Sequence, residues 1–364
     1  MTTKLCLTSV LLLLLCTVQS QTIIRGIVTD IENSPIPHAT VFLSKTTMGV
    51  LADQYGVYTL NIPHNGTYEM ITSCVGYKSH SHIVKVDGSD KVINLKLREK
   101  AIVIKEVIVH GKDLNRKQNY ELFLKYFIGR TANSPFCKIR NPKDIIIYRT
   151  SNDSNLIAYS KKPLIIENSG LGYKIIYDLK NFNHNLKTEH LRFLGDYYFQ
   201  DITIGKRLNY YRIQRSRLIA YYGSRMHFLR ILFADSVSHE DFIMHNTTRE
   251  PVNGYWVTGD PITESDFRTS QNADSITLYH DRPIEIKYSD HHPELFPLPH
   301  VYRPGTYTSR IYFTDTVSIY RNGYYPEAFG LSWGGSMAYD RIAELLPYDF
   351  IPNTSKAKQA IQPK

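Results

Sequence analysis

Ser224 and His227 stand three residues apart in a stretch with helical periodicity, and residues at that spacing share a helix face. A hydroxyl beside an imidazole is the beginning of a nucleophile–base pair, so these two are the candidate catalytic residues. The simpler reading is a helix face meeting a sheet with its polar groups satisfied. His291-x-x-Glu294 has the spacing of two zinc ligands, but a catalytic zinc takes three protein ligands. The last histidine, His300, comes only six residues after Glu294. His239-Glu240 opens like a metalloprotease helix motif, yet the next histidine is His245, six positions on instead of the four that place two imidazoles on one face. Gly330-Leu331-Ser332-Trp333-Gly334 fits the Gly-x-Ser-x-Gly elbow, which needs a buried strand before it and a histidine after it. Tyr325-Pro326-Glu327-Ala328-Phe329 is a poor strand, and no histidine follows Ser332. These glycines read as a loop leading into a last helix. With no phosphate-binding glycine loop and no Cys-x-x-Cys, the expectation is a chain without metal or cofactor and without an enzyme's catalytic set.

Charge offers a second chemistry. The formal net charge of +9 is unevenly spread: residues 111–230 are strongly basic and 231–364 acidic. Between Lys206 and Arg230 stand six arginines and no carboxylate. Arginine suits bidentate pairing with phosphate or carboxylate, so Arg207, Arg212, Arg215 and Arg225 are candidate anion-binding residues, with anionic lipid or glycan as the partner. The competing expectation is intramolecular, the basic middle pairing with the acidic C-terminal part. Arg225 falls inside the apolar arc of a helix predicted over 217–233, where an unpaired charge is costly.

The elements that must carry these residues begin with a targeting segment. Lys4, the apolar run Leu5–Cys16 and the compact residues Val18-Gln19-Ser20 predict a signal peptide over 1–20. The run falls short of the roughly 20 apolar residues a spanning helix needs, and Leu15 before Cys16 disfavours lipidation. The chain is therefore expected in the periplasm or cell envelope of a Gram-negative bacterium, with association at the outer membrane as one variant. It is not expected to be an integral membrane protein or a nucleic-acid binder. Cys74 and Cys137 remain after cleavage and are a candidate disulfide in an oxidising compartment, with two buried free thiols as the alternative.

From 22 to about 109 short runs of strand-forming residues alternate with turn signals: Ile23–Val28, Thr40–Leu43, Val57–Leu60, Tyr68–Cys74, His82–Val86 and Val92–Leu97. That rhythm predicts a sandwich or barrel. The order Gly26-x-Val28-x-Asp30, Pro35-Ile36-Pro37-x-Ala39-x-Val41, Asp53-x-x-Gly56-x-Tyr58-x-Leu60 and Gly76-Tyr77 resembles the carboxypeptidase regulatory-like domain of exported bacterial proteins. Ile104–Val109 is similar to that module's closing strand. The resemblance implies a seven-stranded, transthyretin-like (prealbumin-like) β-sandwich over 21–110, with no carboxypeptidase attached. Too little chain follows for the plug and large barrel of the outer-membrane receptors that carry this module.

The rest is expected to be an α+β domain over 111–352 and a polar tail over 353–364, so the whole is mainly β. Tyrosine is common, at 27 residues, and favours half-buried pleated surfaces. A helix is predicted over 119–128 and strands at 145–148, 156–159, 164–167, 173–179, 276–279, 284–288, 309–313 and 317–320. Asn322-Gly323 signals a hairpin, and Ala338, Ile342, Leu345 and Leu346 a short last helix. This half is similar to an uncharacterised region that accompanies the regulatory-like module. The functional expectation is a non-enzymatic envelope protein whose sandwich is an interaction or scaffolding module. A hydrolase of unfamiliar type and a glycan-binding protein are the alternatives.

Overall fold

The computed structural model describes residues 21–100, 115–150, 154–204, 210–237, 241–289 and 306–353. The predicted signal peptide, the closing strand 104–109, Arg207, His239-Glu240, the His291/Glu294 pair and the tail beyond 353 lie outside them.

The first layer pair is built from ten short strands: β1 (Thr22–Thr29), β2 (Thr40–Leu43), β3 (Gly49–Leu51), β4 (Val57–Ile62), β5 (Gly66–Ser73), β6 (Tyr77–Lys78), β7 (His80–Val86), β8 (Lys91–Val92), β9 (Leu95–Lys96) and β10 (Arg98–Glu99). One sheet runs β4-β1-β8 with β9 also on β1, the other runs β3-β2-β5-β7, and β6 and β10 pair as a separate two-stranded ribbon. β4 alternates strictly, with Tyr58, Leu60 and Ile62 inward, as period-2 patterning requires of a half-buried strand. These side chains meet Val41, Leu43 and Met70 in a common core. The motif residues work locally. The Asp30 carboxylate accepts the N–H groups of Glu32 and Ser34 at 2.8 Å, and that of Asp53 accepts from Tyr55 and Val57. Both are Asx-type turns that return the chain to the sheet. The Tyr58 hydroxyl donates to Ile93 O at 2.7 Å, a satisfied polar tip on a buried ring.

Helix α1 (Arg116–Phe127) then packs on a six-stranded sheet of β11 (Cys137–Ile139), β12 (Ile145–Arg149), β13 (Asn155–Ser160), β14 (Leu164–Asn168), β15 (Tyr173–Asn185) and β16 (Leu191–Asp201). Its order is β11-β14-β15-β13-β12, with β16 on the other side of β15. Phe123 and Phe127 of α1 contact Phe182 and Tyr177 of β15 edge-to-face at 5.0 and 5.3 Å, the arrangement aromatic quadrupoles prefer. The long antiparallel β15–β16 pair leaves one edge of β16 open, and the sandwich closes it. Lys45 N–H donates to Tyr197 O at 2.7 Å and Phe199 N–H to Thr46 O at 2.8 Å. An uncovered strand edge is a liability, and here the β2–β3 turn covers it.

Helices α2 (Tyr210–Tyr221) and α3 (Arg225–Ala234) follow. The expected single helix over 217–233 is corrected to two. Gly223 has φ +74°, and a Cβ there would lie 2.7 Å from the Tyr288 ring, so the chain breaks at this point. Ser224 then caps a new helix.

The last portion holds β17 (Phe242–Thr247), β18 (Thr258–Ile262), β19 (Arg268–Gln271), β20 (Ser275–Leu278), β21 (Ile284–Ser289), β22 (Thr306–Phe313), β23 (Val317–Tyr320) and β24 (Leu331–Gly335). They form a sheet β18-β17-β21-β22-β24 and a smaller sheet β19-β20-β23. The stretch read as a loop, Gly330–Gly334, is thus mostly strand: Leu331 to Gly335 pair with Phe313 to Ser309 of β22. Asn322-Gly323 does make a tight turn, but β23 pairs with β20 and no hairpin partner follows among the described residues. The expected last helix is two short 3-10 turns, Ser336–Tyr339 and Ile342–Glu344. Residues expected to form one domain pack as two cores. One takes in α1, β11–β16, α2 and the returning residues Ile342, Ala343, Leu346 and Phe350; the other takes in α3 and β17–β24.

Candidate ligand-binding cavity

A cavity of about 450 Å³ lies where the sandwich, the β16 edge, α3, β24 and the 336–348 return meet. That volume is within the range of small-molecule sites.

Lys45 enters it from the sandwich turn. Its backbone is held in the left-handed region at φ +61°. The N–H is bound to Tyr197 O and its carbonyl accepts from Tyr348 N–H at 2.8 Å. Strained backbone of this kind persists only where the surroundings over-determine it. The ammonium lies 4.9 Å from the Tyr324 ring centroid and 6.0 Å from that of Tyr348. Burial lowers its pKa below the usual lysine value, with Glu69 and Asp196 opposing. Among the described residues no group hydrogen-bonds to Nζ or pairs with it.

The floor is charged. Arg225 at the start of α3 donates Nε to Met337 O at 2.8 Å and Nη2 to Asp340 O at 2.6 Å, and its N–H goes to Asp340 Oδ2 at 3.0 Å. Burial raises the Asp340 carboxyl, against the attraction of Arg225. Burial likewise raises Glu344, against hydrogen bonds from Thr131 and Asn133, whose Nδ2 donates at 2.8 Å. Between them Arg341 is pulled down to about 10 by burial, then by Arg225. Its guanidinium has no hydrogen bond or ion pair among the described residues. Trp333 Nε1 is buried and makes no hydrogen bond either.

Of the sequence candidates, Ser224 lines this cavity and His227 does not. They are not a nucleophile and its base. Ser224 Oγ caps α3, accepting the His227 backbone N–H at 3.2 Å, while His227 Nδ1 accepts Gly223 N–H at 3.2 Å. The imidazole is buried among the rings of Tyr221, Tyr222 and Phe242 at 4.9–5.3 Å. Arg225 is likewise corrected from an anion-binding candidate to an internal clamp. Arg212 stacks its guanidinium 5.6 Å from the Phe136 ring, and Arg215 is partly buried with its pKa lowered on that account. Cys74 and Cys137 are free thiols: Cys74 packs on the sandwich core and Cys137 in the α1 core, where burial pushes its pKa up to about 12. Two thiols held in different cores do not bridge. Among the described residues no three His, Cys, Asp or Glu groups gather as a metal site. Nor is any described helix long and apolar enough to cross a membrane, which says nothing of strands.

The cavity's own residues escape a reading of the sequence. Asp340-Arg341-Ile342-Ala343-Glu344-Leu345-Leu346 looks like an amphipathic helix with a solvated charged face; the signal is only that its charges flank so apolar a run.

Residues 24–109 match the model of the CarboxypepD_reg-like domain family. This CarboxypepD_reg-like sandwich is therefore the part of the chain that supplies Lys45. Separately, a stretch of 148 residues is 24% identical to Structural protein 27 of a virus (isolate Australia/Victoria), covering 41% of this chain and 25% of that protein. The chain thus spans about a quarter of that relative's length. Among solved structures, a type II cohesin–X-dockerin complex of Acetivibrio cellulolyticus matches with 20% identity over 21% of this chain and 58% of that one, TM-score 0.20. A putative membrane-associated protein of unknown function from Bacteroides fragilis matches over 86% of this chain and 94% of that one, at 9% identity and TM-score 0.19. TM-scores this low carry no argument about fold or activity.

Proposed function

We propose that the chain is a non-enzymatic exported envelope protein in which the CarboxypepD_reg-like sandwich is an interaction module. The observation that supports this reading is the sandwich's use within the chain itself. Its β2–β3 turn caps the edge of β16 through two backbone hydrogen bonds, and Asp349 accepts both the N–H and the hydroxyl of Thr47. Tyr324 reaches back with its hydroxyl to Glu69 at 3.1 Å, and Lys85 pairs with Asp274 at 2.5 Å. Strand-edge capture with side-chain locks is a general mode of protein recognition. The 1–20 segment supports export, and the periplasm or cell envelope of a Gram-negative bacterium, with association at the outer membrane as one variant, is the proposed location.

The test has two arms. In the native host, fractionation is expected to place the chain in the envelope, and fusing residues 1–20 to a reporter is expected to export it. The purified chain is expected to stay silent against peptide, ester and glycan substrates. Turnover that disappears in His227→Ala while the fold survives would establish a hydrolase instead.

A further inference from the structure

Two of the cations that line the cavity, Lys45 and Arg341, are at least half-buried and make no side-chain hydrogen bond or ion pair among the described residues; a third, Arg192, is exposed and lies over the Phe329 ring at 5.7 Å. Lys45 lines the cavity, and its half-buried ammonium lies over the Tyr324 and Tyr348 rings in the field of Glu69 and Asp196, with no hydrogen bond or ion pair among the described residues. Arg341 lines the same space with no acceptor among the described residues. Burying a charge without a partner is costly, and cation–π contact offsets only part of that cost. The fold does not lack the means to satisfy a cation here, since Arg225 next to Arg341 has carbonyl acceptors on two of its nitrogens. The backbone of Lys45 is moreover held in the left-handed region at φ +61° by its hydrogen bonds to Tyr197 and Tyr348. The walls add Tyr197, Tyr348 and Trp333, the last with a buried indole N–H that lacks an acceptor. Asp340 and Glu344 share the lining, so the site's charge suits one negative group better than two.

We propose that this cavity binds a small organic monoanion, a carboxylate carried on a ring, with Lys45 and Arg341 meeting the charge and Tyr197, Tyr348 and Trp333 meeting the ring. A guanidinium fork matches a planar carboxylate, and the amphipathic faces of Tyr and Trp accept either an aryl or a glycosyl ring. Because Lys45 belongs to the sandwich and Arg341 to the C-terminal return, the ligand joins the two. The site is independent of whether the sandwich also engages a protein partner.

Calorimetric titration of the full chain tests this with 4-hydroxyphenylacetate and glucuronate, each set against its neutral counterpart, 2-(4-hydroxyphenyl)ethanol and glucose. The expected result is a Kd of about 1 mM or tighter for one of the acids, with its neutral counterpart at least about tenfold weaker. Which acid binds distinguishes an aryl from a glycosyl source. Lys45→Met and Arg341→Gln are each expected to weaken binding about tenfold or more. Lys45→Met keeps the alkyl stem and is expected to leave the apo protein no less stable, so it decides the matter even if Arg341→Gln fails to fold. The proposal is overturned if neither acid reaches that affinity, if the neutral compounds bind as well, if inorganic phosphate binds more tightly than both acids, or if Lys45→Met binds like the wild type. Each of those results would leave water as the cavity's occupant or a different ligand class.

Discussion

Arg217 and Lys45 are both cations that folding draws away from bulk water, and the molecule treats them in opposite ways. Arg217, on α2, is 5% exposed. It donates Nε to Leu171 O at 2.8 Å, reaches Gly172 O at 3.3 Å, pairs with Asp201 at 3.0 Å and lies 3.9 Å from the Tyr173 ring centroid. Arg230, on α3, similarly gives three N–H groups to the carbonyls of Asn322, Tyr348 and Phe350 at 2.9–3.0 Å. Lys45 and Arg341 make no side-chain hydrogen bond or ion pair among the described residues, and Lys45 has only its ring contacts and the more distant field of Glu69 and Asp196. The comparison teaches how to read a basic stretch. Arginines that fork onto main-chain carbonyls hold helices against loops, because five fixed donors can satisfy several chain ends at once. A cation left without an acceptor beside a cavity is the one available to something else. The density of arginine between 206 and 230 therefore marks assembly more than anion recognition, and Arg217 and Arg225 find carboxylates within the chain itself.

The sharpest way to break the comparison is at Arg217. Arg217→Met is expected to cost about 3–5 kcal/mol, because Asp201 and two carbonyls lose a buried partner. Urea denaturation measures it. Arg217→Lys is expected to recover little, since one ammonium cannot reproduce the fork. A loss below about 1 kcal/mol would mean the clamp is ornamental, and the contrast with Lys45 would fall.

Ser224 comes next in size. As the α3 cap it is expected to lose about 1 kcal/mol on Ser224→Ala, and Ser224→Asp, which can also cap, is expected to restore most of it. A capping role predicts that recovery, and a nucleophile does not.

How far the sequence reaches differs between these regions for a physical reason. The sandwich is legible because its strands alternate strictly and its turns carry Asp, Gly and Pro at fixed offsets, all local information. The strand β16 is not, because Gly195 interrupts its pattern; a Cβ there would lie 2.3 Å from the Tyr177 ring, so the glycine serves close packing of β15 on β16. The helix break at Gly223 is invisible for a related reason: Tyr222, Met226 and Leu229 keep helical spacing across it, and only the φ of Gly223 ends the first helix. The pairing of Ser224 with His227 is right as proximity and wrong as chemistry, since a cap uses the backbone N–H. The cavity cannot be read at all. Lys45 and Arg341 are far apart in sequence, and each has a plain local explanation, one in a turn and one on an apparent helix face.

Lys45→Met sharpens the comparison from the other side. Replacing a half-buried charge that has no hydrogen bond or ion pair by an apolar side chain of similar reach is expected to stabilise the apo protein by up to about 1 kcal/mol, less whatever the Tyr324 contact and the field of Glu69 and Asp196 give. The pH dependence carries the sign. With the folded pKa depressed below the unfolded 10.5, the folded state binds fewer protons than the unfolded chain through that interval. The cost of Lys45 is therefore complete below the lowered value and disappears as pH rises to about 10.5. Thermal melts of the two proteins are expected to differ most near neutral pH and to converge in alkali. Parallel curves would place the ammonium in water.

The smallest effect expected is at Glu344, and it bears on whether Arg341 is truly unspent. Burial raises the Glu344 carboxyl above its usual 4.5, outweighing the donors from Thr131 and Asn133. A raised acid favours the folded state while both forms are protonated, and that advantage is lost as pH rises from 4.5 through the native value. At neutral pH the charged form therefore carries a cost that glutamine does not, and glutamine keeps an oxygen to accept from Asn133 Nδ2. Glu344→Gln is expected to raise stability at pH 7 by a few tenths of a kcal/mol and to lose that gain below about pH 4.5. If Glu344→Gln instead destabilises at pH 7, the carboxylate is serving a donor that the single oxygen of glutamine does not satisfy, either the Thr131 hydroxyl or a cation. Arg341 is the cation nearest in sequence that lacks an acceptor of its own, so a loss that Thr131→Val does not reproduce would make it a partner of Glu344 and remove one of the two charges assigned to the ligand. Lys45 would then be the one of the two proposed ligand cations that still lacks a hydrogen bond or ion pair among the described residues.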